Sequence, residues 1–142
     1  MKYRIRFICV VNCIISLFIG VMIYCFLRSG TFFHSFASDY GITFPDYSHI
    51  HFPFDDIIRY YLTDFLWLYS MEFGVLAVIL PAMTHLPVYL GTLFSFSVIY
   101  EILQMTDIIS GTGDIIDISV YLSATVVVAV IYILSIKKGK KS

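Results

Sequence analysis

The chain has 142 residues, of which 59% are hydrophobic and 13% charged, with a net charge of −1. A water-soluble domain carries about a quarter charged residues, so this composition excludes an ordinary soluble enzyme or module and points to a bilayer as solvent. The length suits one domain.

Lys2, Arg4 and Arg6 open the chain, and an uncharged run follows from Phe7 to Leu27. A helix needs about 20 apolar residues to cross the hydrocarbon, so this run is the first predicted span. It exceeds the roughly 7–15 apolar residues of a signal peptide. No A-x-A-like site follows Leu27 in RSGTFFHSFAS, and the segment reads as an uncleaved anchor. Cys9, Cys13 and Cys25 all fall within it and read as small apolar filler. With no cysteine elsewhere, no disulfide framework can form between the connecting segments.

Residues 28–59 form a long connection rich in aromatics. Phe32, Phe33, Phe36, Phe44, Tyr47, Phe52 and Phe54 suit the interfacial belt, where rings sit at head-group level. The segment has no clear period, and a short helix is expected near Ile57. His49 and His51 with Asp46, Asp55 and Asp56 match no metal motif. No metal and no cofactor is expected: the chain has no nucleophile elbow, phosphate-cradling glycine loop or HExxH.

The second predicted span covers 60–80 and contains Glu72, with Arg59 and Asp64 flanking its entry in RYYLTDFLW. A carboxylate near mid-bilayer costs a few kcal/mol. Glu72 therefore reads as protonated and hydrogen-bonded. Pro81 and Pro87 bracket a tight turn. The third span, 88–105, carries Glu101 and Gln104 on one face at i, i+3. A glycine turn leads to the fourth, 115–136. Asp114 reads as its N-cap. Asp117 lies inside the apolar run and shares a face with Tyr121 at i, i+4.

Lys137, Lys138, Lys140 and Lys141 close the chain as a basic tail over 137–142. Lysine and arginine gather on the cytoplasmic side, so both termini are expected there, in a cell membrane, as an even number of spans requires. The expectation is an all-α, polytopic bundle of four transmembrane helices. Its basic tails are short and lie where anionic lipid head groups are, so no nucleic-acid partner is expected. Arg59 is the counter-charge available to the acids of the last two spans, or equally an interfacial arginine meeting lipid phosphate.

An aspartate at the start of a middle span, then Glu-x-x-Gln, a short turn and an Asp-rich entry to the last span resembles the VanZ-like family of bacterial membrane proteins. The matching parts are TDFLW with Asp64, EILQ with Glu101 and Gln104, and GTGDIIDISVYLSA with Asp114 and Asp117. Phe65, Leu68, Gly111, Thr112, Tyr121 and Ala124 stand where that family usually has other residues. The resemblance implies a small envelope protein, its founding member being associated with teicoplanin resistance.

Three readings of function follow. The first is an envelope protein whose polar pocket of Glu101, Gln104, Asp117, Arg59, Asp64, Asp114 and Tyr121 binds or acts on a lipid-linked molecule, two carboxyls in unlike settings being able to serve as acid and base. The second is a non-enzymatic partner of another membrane protein, with the acids fixing helix register. The third is a small oligomeric transporter or channel. The residues leave enzymatic activity open.

Overall fold

The computed structural model describes residues 2–28, 31–43, 45, 47–51, 53–109 and 113–140. Helix α1 spans Lys2–Leu27, α2 Phe32–Asp39, α3 Leu62–Ile79, α4 Leu86–Met105 and α5 Ile115–Lys140. A π-helical turn, Ile57–Tyr61, runs directly into α3, so the second long helix is continuous from Ile57 to Ile79. Four of these helices are long and apolar enough to cross a membrane. There is no strand among the described residues. The fold is the all-α membrane bundle that the run lengths imply.

The boundaries differ from the apolar runs at the basic ends. α1 starts at Lys2 and α5 continues to Lys140, because lysine and arginine are good helix formers whose stems lie along apolar surface while their charges reach water. The connection also holds more helix than expected. Phe32–Asp39 is α2, capped at its C-terminus by Tyr40 and followed by Gly41 at φ +70°. Phe36 and Tyr40 pack with ring centroids 5.0 Å apart. Of the expected belt, Phe36, Tyr47 and Phe54 are exposed. Phe44 and Phe52, and the side chains of Phe32 and Phe33, lie outside the described residues, as does Asp46.

α1 and α3 form the most extensive contact of the bundle, antiparallel. Small residues let them approach: a Cβ on Gly74 would stand 3.4 Å from Cys13 Sγ, and one on Gly20 3.5 Å from Leu66 Cβ. Polar bonds fix the register. Tyr69 donates to Asn12 Oδ1 at 2.6 Å, and Arg6 Nε donates to the Ala77 carbonyl at 3.0 Å. α5 closes the core against α3 with Ala124, Val128 and Tyr132, whose hydroxyl donates to the Pro81 carbonyl at 3.0 Å. Cys9 and Cys25 are buried and all three thiols are free, in keeping with a filling role.

The surface left outside is apolar, with Phe7, Ile14, Phe18, Val88, Phe96 and Leu134 all exposed. In water such a surface would aggregate; in lipid it is the solvated face. Arg4 and Lys138 border one recess, so the two basic ends share one end of the bundle. Asp64, Glu101, Asp114 and Asp117 gather toward the opposite end, where α3 and α5 begin and α4 finishes.

Candidate functional site

Glu101 organises that far end. It is 2% exposed, and both its oxygens are engaged. Oε1 accepts the Asp114 backbone N–H at 2.8 Å, and Oε2 accepts the Tyr121 hydroxyl at 3.2 Å. The last turn of α4 is thereby tied to the first two turns of α5. The chain between them makes this possible by reversing tightly: Asp107 takes φ 56°, and any Cβ on Gly113 would fall 2.5 Å from the Met105 backbone nitrogen. Gly111 and Thr112 lie outside the described residues.

Asp114 caps α5, its Oδ1 accepting the Ile116 N–H at 3.0 Å. Asp117, buried, is close enough to interact electrostatically with Glu101. The Asp64 carboxyl, half-buried on α3, is close enough to interact electrostatically with Glu101 and with Arg28. Asp64, Glu101, Asp114, Asp117 and Tyr121 thus come together. Gln104 is half-buried and stays outside this hydrogen-bonded set.

Arg59, read from sequence as a counter-charge for these acids or equally as an interfacial arginine meeting lipid phosphate, is 5% exposed and clasps the connecting segment. Its guanidinium donates to Asp55, to the Leu27 carbonyl and to the Ile50 carbonyl. The reason is local: Asp55 lies one helical turn before Arg59, on its own face. The cation coupled to Asp64 is Arg28, whose guanidinium carbon sits 4.9 Å from the Tyr60 ring centroid and 5.4 Å from that of Tyr24. Arg28 and Tyr61, which senses Asp114 and Asp117, were not singled out from sequence. The position of Tyr61 beside TDFLW was the available signal for it, and for Arg28 the signal was a cation closing the first apolar run.

A groove of about 1050 Å³, open along its side, leads away from the acids. It follows α3 from Asp64 to Ile79, with Phe96, Ser97 and Tyr100 of α4 on its other wall and Tyr121 at its polar end. It exists because α4 packs mainly on α5 and only lightly on α3. From Asp64 to Ile79 the helix rises roughly 22 Å at 1.5 Å per residue, more than the ~15 Å of one leaflet's hydrocarbon.

No family model, curated protein or solved structure matches the chain.

The geometry must therefore carry the reading. Among the described residues no group of three or more His, Cys, Asp or Glu side chains could hold a metal ion. In the histidine-rich connection His51 Nδ1 lies 3.2 Å from Asp55 Oδ2, and His34 Nδ1 pairs with the Thr31 hydroxyl at 2.7 Å.

Glu72 lies apart from this site, fully buried between α3 and α5. The Thr125 hydroxyl donates to its Oε1 at 2.7 Å, while Oε2 has no hydrogen-bonding partner among the described residues. A buried polar atom without a partner costs about 1–3 kcal/mol. Glu72→Met keeps the volume and removes that cost, and the freed Thr125 hydroxyl can bond a carbonyl of its own helix. The substitution is expected to raise stability by about 1–2 kcal/mol, read by thermal unfolding in detergent. A fall instead would mean that Oε2 holds a partner in the membrane.

Proposed function

We propose that this chain is a VanZ-like integral protein of the cell membrane, both termini cytoplasmic, that binds a lipid or lipid-linked envelope molecule from the outer face. The observation that carries this reading is the groove: apolar over more than a leaflet's depth, open to the side, and ending at Asp64 and Tyr121. That is the shape of a site for an acyl or prenyl chain with a polar head. The shared position of Arg4 and Lys138 supports the orientation, which puts the acids outside. Binding fits better than turnover, because both oxygens of the most buried acid, Glu101, already serve structural bonds.

Native mass spectrometry from mild detergent tests the reading. The wild-type chain should carry retained lipid. Val75→Phe, which fills the groove from α3, should lose it without a change in melting temperature, and Val78→Phe should do the same. A lipid-free wild type, or equal retention in both variants, would overturn the proposal.

A second reading, a subunit of a larger membrane assembly, draws on the outward face of α4. Gly91, Thr92 and Ser95 are exposed there, and a Cβ on Gly91 would meet nothing within 4 Å. Small residues of this kind let helices approach closely.

A further inference from the structure

The polar end of the groove has a definite chemical character. Its lining carboxyl is Asp64. Glu101 and Asp117 stand behind it, each within electrostatic range of Asp64. The arginine coupled to Asp64, Arg28, is held over two tyrosine rings. Among the described residues three carboxyl groups, Asp64, Glu101 and Asp117, thus gather at this end with one coupled arginine. Phosphate or carboxylate alone would meet like charge there, a repulsion that discriminates strongly against a wrong ligand. Trp67, one turn along α3 from Asp64, and Tyr100 of α4 line the groove beside it. A carboxylate flanked by aromatic faces is a setting for an ammonium group. Among the described residues the carboxyls do not form a group able to hold a metal ion, and the long apolar groove that ends at Asp64 suits an organic cation attached to something that fills it.

We infer that the occupant is a lipid whose head group bears a protonated amine, with the ammonium at Asp64 and the chain along Met71, Val75 and Val78. This rests on the groove being a lipid site, and it adds the class of head group. Arg28 is coupled to Asp64 at the same end. In a zwitterionic head it would face the phosphate while Asp64 faces the amine.

Trp67 is the chain's single tryptophan, and its place in the groove makes it the reporter. The protein is reconstituted in mixed bilayers of phosphatidylethanolamine and phosphatidylglycerol, with the acyl chains of one or the other brominated. Quenching at equal mole fraction should favour brominated phosphatidylethanolamine by about two- to five-fold, the discrimination that one partly exposed cation contact supplies. Asp64→Asn should abolish the preference, and Asp64→Glu should keep it. Equal quenching, or a preference for phosphatidylglycerol, with lipid still retained in the wild type would overturn the ammonium assignment and leave the groove reading standing. No retained lipid and no preference would overturn both.

Discussion

Arg59→Ala is expected to destabilise the folded protein by about 2–4 kcal/mol, the cost of leaving two carbonyl groups without their donor together with the lost packing of the arginine stem. The side chain is buried where three parts of the chain meet: the end of α1 through Leu27, the connecting segment through Ile50, and the helix start through Asp55. Thr63, wholly buried, adds a bond from its hydroxyl to the Arg59 carbonyl at 2.8 Å. Thermal unfolding in detergent measures the loss. Protease cleavage between residues 31 and 55 should rise at the same time, because that segment is what the guanidinium holds. Arg59→Lys, with one ammonium in place of a three-pronged fork, should fall between.

The same clasp should loosen in acid. The hydrogen bond from Arg59 is the main force holding the Asp55 carboxyl below its ordinary value of 3.8. A group with a lowered native pKa contributes stability that is complete above the ordinary value and is lost as pH falls through the native one. Cleavage of the connecting segment should accordingly be flat from neutral pH down to about 4 and increase below it. An increase that begins near pH 6 would assign the clasp to a histidine instead.

Glu101→Ala is the second large effect, a loss of about 2–3 kcal/mol. It leaves the Asp114 N–H and the Tyr121 hydroxyl without an acceptor at the junction of α4 and α5, each worth about 1–3 kcal/mol when buried; the half-buried position of both residues keeps the sum below the maximum. Glu101→Gln should recover most of it. Its amide oxygen can accept the Asp114 N–H, and its NH2 can donate to Tyr121 if the hydroxyl turns. Melting temperatures of the two variants decide the matter: equal losses would mean that the charge, and not the hydrogen bonds, holds the junction.

Much of this architecture can be read from residue order. Run length places all four spans, and the Asp114 cap is visible as an aspartate before an apolar run. The i, i+4 spacing of Asp117 and Tyr121 puts both on one face of α5, and that is the face Glu101 meets. Arg59 shows where such reading stops. Counting cations suggests that it serves the distant acids, but a carboxylate one turn away on its own helix is always nearer. Its tie to Asp55 was present in the spacing and was outweighed by a global charge argument. α2 was missed although Phe32, Phe33, Phe36 and Ala37 recur at helical spacing, because eight residues are too short a stretch for that period to stand out within a long aromatic connection. The groove has no sequence signature at all. It arises from how far α4 leans from α3, a property of two packed surfaces and not of either helix.

The bond between Thr125 and Glu72 has a consequence for biogenesis. Glu72 enters the membrane with the second span, but Thr125, which hydrogen-bonds it, belongs to the last. Glu101 likewise finds the Asp114 N–H and Tyr121 only when α5 arrives. A chain halted after Met105 would hold two carboxyl groups in lipid with nothing to meet them. Synthesis thus leaves the first three helices provisional, and the final one ratifies their arrangement.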